Sequence, residues 1–276
     1  MITIQNIAYM HPNRDLLFSN ITFTINKYDK VALVGNNGEG KSTLLQLLAG
    51  KLLPFDGVIR LDSAPYYVPQ HYGQYDELTV AGALMIEDKL NAYREILAGT
   101  VTDKNLSILD DDWGIEERCA EAFNYWEISN IDLCQPMHAL SGGEKTKVFL
   151  AGILIHSPKI ILLDEPSNHL DVSGRKILYQ YIESTHNTLV VVSHDKSLLN
   201  LFNSVYELSK KGVSVYGGSY SLYEEQKRVE SNALDNDILE KEKSLRKAKE
   251  TEKEAAQSWI REGKASRKRP DCLPSL

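Results

Sequence analysis

The sequence predicts an α/β protein: a mostly parallel sheet with an antiparallel β subdomain before it, a helical subdomain within it and a long charged helix after it. Three observations predict this. Short β-branched runs at residues 31–34, 160–163 and 189–192 alternate with helical patterns up to about Tyr223. These runs lack polar alternation, as expected of strands covered on both faces. From about Ser221 the composition shifts to Glu, Lys, Arg and Ala with no glycine or proline until Gly263, which suits one exposed helix.

Taken in order, residues 2–9 and 21–25 read as antiparallel strands joined through the turn signals of Pro12-Asn13-Arg14-Asp15. Between about 80 and 140 the pattern turns helical and irregular, with 81–98 and 115–126 as the best helices and 100–114 as a connecting loop. This stretch is expected to be a helical subdomain inserted into the α/β core. The first domain is placed at residues 1–223 and a helical linker at 224–276. In the linker Leu234, Ile238, Leu245, Ala248, Ala255 and Trp259 follow a four-three spacing that Lys241 and Glu252 interrupt, which implies a weak coiled-coil or hairpin partner. Residues 261–276 gather Arg261, Lys264, Arg267, Lys268 and Arg269 and are expected to form a flexible tip.

Composition narrows the class. With 42% hydrophobic and 25% charged residues in 276, the chain has the profile of a soluble globular protein. No run of eighteen apolar residues exists and the start lacks a basic n-region and cleavage site, so a cytoplasmic protein without membrane insertion is expected. Cys119, Cys134 and Cys272 lie far apart with no metal or disulfide spacing, so reduced structural thiols are expected. The net charge is −7, but 13 basic and 11 acidic residues lie from Glu225 onward, so the negative excess sits before it. Any nucleic-acid contact is therefore local.

The chemistry begins at Val31-Ala-Leu-Val-Gly35-Asn36-Asn37-Gly38-Glu39-Gly40-Lys41-Ser42-Thr43, which fits G-x-x-x-x-G-K-[ST] between a strand and a helix. This is a P-loop. Its backbone amides converge on phosphates at a helix N-terminus, Lys41 supplies charge to the β and γ phosphates of ATP, and the Ser42 hydroxyl can ligate Mg²⁺. A bare glycine-rich turn would not need Lys-Ser-Thr beside it. A second piece is Lys159-Ile-Ile-Leu-Leu-Asp164-Glu165-Pro166, a strand whose carboxylates emerge at its C-terminal end, where α/β sheets hold ligands. Asp164 is expected to hold Mg²⁺ through its water shell, and Glu165 is the candidate base for the attacking water.

Leu140-Ser141-Gly142-Gly143-Glu144-Lys145, before a helix and upstream of Asp164, resembles the signature motif of ATP-binding cassette (ABC) ATPases. The other cassette elements follow in order. Gln70 after Tyr-Val-Pro matches the Q-loop, Asn168-His169-Leu170-Asp171 the D-loop, and His194 in Val-Val-Ser-His-Asp the switch histidine. Alone, Gln70 reads as any loop glutamine and His194 as a core histidine; the ordered set gives both their functional reading. Tyr9 sits where the family places the aromatic that stacks on adenine, with packing, and His11 as the stacking residue, as the other reading. The resemblance implies the fold of a P-loop NTPase, an ABC-type cassette with antiparallel β and helical subdomains. It also implies roles: Gln70 toward Mg²⁺ and the lytic water, His194 toward the γ-phosphate, and Ser141 with the Gly142 and Gly143 amides toward the nucleotide of an opposite cassette. Hydrolysis then needs two cassettes head to tail, whose closure supplies the preorganised charge for phosphoryl transfer.

Glu165-Pro-Ser-Asn-His-Leu-Asp171 looks like the E-P-[TS]-N-H-L-D run of ABC-F proteins, tandem ATPases of the ribosome. Val215-Tyr-Gly-Gly-Ser-Tyr-Ser-Leu-Tyr223 resembles their closing tyrosine motif, and Asp111-Asp112-Trp113 with Glu116-Glu117-Arg118-Cys119 resembles their helical region. That family's linker is a hairpin whose tip touches tRNA and ribosomal RNA, which the cluster from Arg261 to Arg269 suits. It also carries a second cassette after the linker, so this chain is expected to be an N-terminal half, with the missing half or a second copy as its partner. Glu39 replaces a usual small residue and Glu144 a commoner glutamine, neither at a phosphate-binding position. The competing readings are a transporter ATPase subunit docking near Gln70, disfavoured by Asn168-His169, and a binding module without hydrolysis, disfavoured by Lys41, Asp164, Glu165 and His194.

Overall fold

The computed structural model describes residues 1–210 and 212–266. The chain starts with β1 (Ile2–Met10) running antiparallel to β2 (Leu16–Ile25), with Ile2 opposite Ile25 and Ile4 opposite Phe23. Asn13 closes the turn between them: its side-chain carbonyl accepts from the Asp15 amide at 3.1 Å, and its side-chain amide donates to the Asp15 carboxylate at 2.7 Å. β3 (Lys30–Val34) opens a second sheet and leads through the glycine-rich turn into α1 (Lys41–Leu48). β4 (Asp56–Leu61) returns to β1, giving the order β2-β1-β4, and β5 (Pro65–Val68) joins the second sheet.

Four helices come next: α2 (Val80–Ala83), α3 (Glu87–Leu97), α4 (Asp103–Leu109) and α5 (Ile115–Tyr125). α6 (Gly142–His156) then leads into β6 (Ile160–Asp164). The remaining elements are α7 (Val172–Ser184), β7 (Thr188–Val192), α8 (Lys196–Leu199), β8 (Ser204–Ser209), β9 (Gly212–Gly217) and α9 (Tyr220–Ser266). The second sheet has the order β5-β6-β7-β3-β8-β9, parallel throughout except for the β8–β9 pair.

Strand alternation builds two cores from one sheet. Every residue of β6 and β7 is buried. Ile161, Leu163, Leu189 and Val191 pack on one side with α5 and α6, and Ile160, Leu162, Val190 and Val192 pack on the other with Leu44, Leu48, Ile4 and Phe18. Each such fully buried side chain contributes roughly 1.5–3 kcal/mol. The C-terminal ends of β3, β6 and β7 are thereby fixed side by side, and the functional residues leave the sheet there.

The helical subdomain differs from the expectation in two places. The predicted helix over 81–98 is broken into α2 and α3 at Met85, whose φ is 58°. Thr79 explains the break: its hydroxyl caps α2 by accepting from the Gly82 amide at 2.9 Å and donates to Glu87 at 2.8 Å, so both Leu84 and Ile86 turn inward. The predicted loop over 100–114 contains α4, capped by the Thr102 hydroxyl at 3.1 Å from the Asn105 amide and ended by Asp110 in the left-handed region. In α5 the buried residues are Ile115, Cys119, Ala122 and Phe123, one helical stripe.

Gly152 in the middle of α6 has a steric reason. A Cβ there would stand 1.8 Å from the Tyr66 hydroxyl, which donates to the Phe149 carbonyl at 3.1 Å. Only a glycine lets β5 approach this closely.

Residues Met1–Tyr223 form one compact unit and a second begins at Glu224. The charged helix runs through Ser266, into the segment expected to be a tip, and in its described part Ile238 and Leu245 are exposed. Arg267, Lys268, Arg269 and Cys272 lie outside the described residues. Cys119 is buried and Cys134 exposed, and both are free thiols.

Candidate active site

The P-loop is the turn from β3 to α1. Gly40 has φ 94°, and a Cβ there would press to 2.6 Å from Leu17, so the turn into the helix needs glycine at this point. Lys41, at 9% exposure, donates from Nζ to the carbonyls of Gly35 at 2.8 Å and Asn36 at 3.1 Å. Burial lowers its pKa below the ordinary lysine value, and the charges of Glu165, Glu39 and Asp164 act the other way. Glu39 folds back on the loop: Oε2 accepts from the Asn36 amide at 2.8 Å and Oε1 from its side-chain amide at 3.0 Å. The unusual residue of this P-loop is therefore a brace on Asn36.

Asp164 and Glu165 leave the end of β6. Asp164 is 1% exposed, and each of its oxygens accepts from a hydroxyl, Oδ1 from Ser42 at 3.0 Å and Oδ2 from Tyr67 at 3.1 Å. Glu165 adopts φ 51°, a costly conformation for a non-glycine residue, while its amide donates to the Val192 carbonyl at 2.8 Å. Its carboxylate faces His194: Oε2 accepts from the His194 amide at 3.2 Å, and Oε1 lies 3.5 Å from Nε2. Burial raises both carboxyl groups above their ordinary values, opposed at Asp164 by the Ser42 and Tyr67 hydroxyls and at Glu165 by His194. Burial, then the Asp164 charge, also pushes the Tyr67 phenol up.

These residues surround a pocket of about 330 Å³, lined by Asn37, Gly38, Gly40, Lys41, Ser42, Thr43, Gln70, Glu165 and His194 with His11 and Leu17 on one wall. That is the size range of small-ligand sites. Gln70 and Ser42 also border an adjoining cavity of about 490 Å³ that contains Asp164. Tyr9 does not line the pocket. It packs into the antiparallel sheet's core, with its ring 5.6 Å from His11 and 6.3 Å from Phe18. His11 takes the wall position.

The signature residues stand elsewhere. Ser141 caps α6 and forms a reciprocal pair with Glu144: its amide and hydroxyl donate to Oε2 at 2.8 and 2.7 Å, and its oxygen accepts from the Glu144 amide at 3.3 Å. Gly142 and Gly143 lie against His169, where a Cβ on Gly143 would approach the His169 carbonyl to 2.9 Å. Asp171 caps α7 through the Gly174 amide at 2.9 Å and faces Lys147 at 3.9 Å. A pocket of about 500 Å³ joins Ser141, Gly143, Glu144, His169 and Asp171 with Lys147 and Asn130, and it shares no residue with the P-loop pocket. The predicted residues thus fall into two groups.

Ser42, Asp164 and Gln70 offer a hydroxyl, a carboxylate and an amide oxygen around adjoining cavities. This donor set fits Mg²⁺, which takes one or two protein oxygens and completes its shell with phosphate and water. Sequence reasoning missed Tyr67, Lys147 and Leu17. A tyrosine in a strand carries no motif; only the register of β5 on β6 brings it to Asp164.

A strand–P-loop–helix unit, two acids at the end of the strand two places away in the sheet and a histidine after the strand between them define a P-loop nucleotide-binding domain. The chain belongs to the ABC transporter family, whose sequence profile matches residues 18–168. It is an ATP-binding cassette, in a family where ATP hydrolysis is characteristic. It is similar to the ATP-binding protein Uup of Haemophilus influenzae, 32% identical over 97% of this chain and 43% of Uup. It is also similar to the tylosin resistance ATP-binding protein TlrC of Streptomyces fradiae, 29% identical over 83% of this chain and 46% of TlrC. The chain thus spans about half the length of these relatives. Its fold matches the dimeric ATP-binding cassette MJ0796 bound to ADP and Pi, with TM-score 0.62 and 21% identity over 79% of this chain and 98% of that one. No described helix is long and apolar enough to cross a membrane.

Proposed function

We propose that this chain is one cassette of an ABC-F-type tandem ATPase that acts on the ribosome from the cytoplasm, and that it hydrolyses ATP only when paired with a second cassette. The observation that carries the pairing is the separation of the two pockets: the P-loop group and the signature group share no residue. One nucleotide touched by both requires two cassettes. The ABC-F reading is supported by the Asn168-His169 pair, whose His169 backs the signature glycines, and by similarity to a tylosin resistance protein.

In this reading Lys41 and the amides of residues 38–43 bind the phosphates of ATP, and His11 stands beside the adenine in place of Tyr9. Ser42, Asp164 and Gln70 hold Mg²⁺, which neutralises phosphate charge when bound. Glu165 takes the proton of the attacking water, and a positioned base of this kind supplies roughly 10²–10⁴ in rate. His194, held by Glu165, reaches the γ-phosphate. Ser141 and the amides at the start of α6 meet the γ-phosphate of the partner's nucleotide, where a helix N-terminus favours negative charge.

The test uses the Glu165→Gln form of the protein carrying both cassettes, incubated with ATP and sedimented through sucrose. It is expected to travel with ribosomes, and the wild type is expected to be released as ATP is consumed. A Glu165→Gln protein that binds ATP yet never sediments with ribosomes overturns the ribosomal reading and leaves the cassette pairing intact. Turnover by the single chain that does not rise with its concentration overturns the pairing.

A further inference from the structure

Asp164 is gripped from two sides by residues of different standing. Ser42 belongs to the P-loop and donates to Oδ1 at 3.0 Å. Tyr67 donates to Oδ2 at 3.1 Å, yet it lines only the adjoining cavity of about 490 Å³ and not the P-loop pocket. It reaches the carboxylate because of register: Tyr67 stands opposite Leu162 in the parallel β5–β6 ladder, and Leu162 shares a sheet face with Asp164. The two-residue step along β6 is about 6.6 Å, close to the length of a tyrosine side chain.

The ring is fixed in turn. Lys51 holds its ammonium 4.8 Å from the centre of the Tyr67 ring and 5.4 Å from that of Tyr75, and donates to the Tyr75 hydroxyl at 2.7 Å. This is the distance range of cation–π attraction. The chain Lys51–Tyr67–Asp164 therefore runs from the surface to the buried carboxylate.

A carboxylate turns easily about its last torsion, which is broad and two-fold. A single donor from Ser42 leaves that rotation open, and a second donor on the other oxygen closes it. We propose that Tyr67 is a positioning residue of the active site that fixes the plane of the Asp164 carboxylate for Mg²⁺, with Lys51 clamping its ring. This rests on the reading of Ser42 and Asp164 as the metal-holding pair.

The test is binding of a fluorescent, non-hydrolysable ATP analogue to the chain, measured in EDTA and across a Mg²⁺ titration. Tyr67→Phe keeps the ring, the packing and the cation–π contact and removes the hydroxyl that donates to Asp164 and also meets the Gln46 side chain. It is expected to raise the Mg²⁺ concentration for half-maximal enhancement about tenfold, the scale of a hydrogen bond to a charged group, with affinity in EDTA unchanged. Lys51→Met is expected to shift the midpoint in the same direction by about two- to threefold. An unchanged Mg²⁺ midpoint in Tyr67→Phe overturns the proposal, and so does equal weakening in EDTA and in Mg²⁺, which would mark a packing role. Ser42→Ala separates the two readings. If it too leaves the midpoint unmoved, the metal-holding pair itself is wrong; if it shifts the midpoint while Tyr67→Phe does not, only the role of Tyr67 falls.

Discussion

The P-loop face and the signature face of this cassette solve the placement of charge in opposite ways. On the first, Asp164 and Glu165 are buried at 1% and 6% exposure, and they are held by Ser42, Tyr67 and His194 from three other segments. On the second, Ser141 is exposed and Glu144 half-buried, and they satisfy each other within one turn of α6. Burying two neighbouring carboxylates is costly even with these donors, so the first face suits a cation and a polyphosphate. The second already closes its own hydrogen bonds and waits for an anion brought by another surface. The difference teaches how the proposed function divides: nucleotide capture falls to the single chain and turnover to the pair.

The sharpest way to break this division is Glu165→Gln. Turnover by paired cassettes, followed as phosphate release, is expected to fall about 10²–10⁴-fold, while ATP binding by the single chain changes little. Surviving turnover would show that the proton goes elsewhere. Lys41→Ala acts one step earlier. Removing the buried ammonium proposed to meet phosphate is expected to weaken ATP binding about 10–100-fold by calorimetry, the scale of one or two charge-assisted hydrogen bonds. If both changes left binding and turnover equally affected, capture and chemistry would not be separable on this face.

A third change tests what supports the signature helix. Gly152→Ala improves the helix propensity of α6 by about 1 kcal/mol, but its Cβ would collide with the buried Tyr66 hydroxyl at 1.8 Å. Overpacking of this kind costs about 1–3 kcal/mol. A net loss of about 1 kcal/mol in urea denaturation is expected, with partial recovery in Gly152→Ala/Tyr66→Phe. A stabilised variant would show that β5 yields freely, and that Gly152 is there for another reason.

What was legible in the sequence follows from how local each feature is. The P-loop, the acids of β6, the signature run before α6 and the three buried parallel strands β3, β6 and β7 were readable because each is written within a dozen residues as glycine, charge and β-branched pattern. Asp164 and Lys41 could be named from that alone. Tyr67 could not, because its function is a cross-strand neighbour relation set by the register of residues distant in sequence. The break at Met85 was invisible for a similar reason. A left-handed methionine is locally unfavourable, and the tertiary burial of Leu84 and Ile86 overrides it. Helix α4 was missed although Thr102 supplied a cap, since seven residues carry too weak a periodic signal. Tyr9 and His11 sit two positions apart, and only the path of the turn after β1 turns His11 toward the pocket.

The smallest expected effect lies on the signature face, at Glu144. Its carboxyl is held below the ordinary glutamate value by the Ser141 hydroxyl and then the Ser141 amide, against a weaker burial effect. Because the folded value is depressed, the charge stabilises the fold fully above the unfolded value of about 4.3, and that stability is lost as pH falls through the folded value. Glutamine keeps an accepting oxygen for the capping box but carries no charge to the helix N-terminus. Glu144→Gln is therefore expected to cost only about a few tenths of a kcal/mol at pH 7, since the group lies at the surface, half-buried, where solvent screens it. The denaturation midpoints of the two proteins are expected to converge as pH falls through the depressed folded value. Parallel curves at every pH would mean that Ser141 does not hold the charge, and that its hydroxyl is free for a partner's phosphate before the cassettes meet. Convergence keeps that hydroxyl engaged in the single chain, so that only a second cassette bearing nucleotide can draw it away.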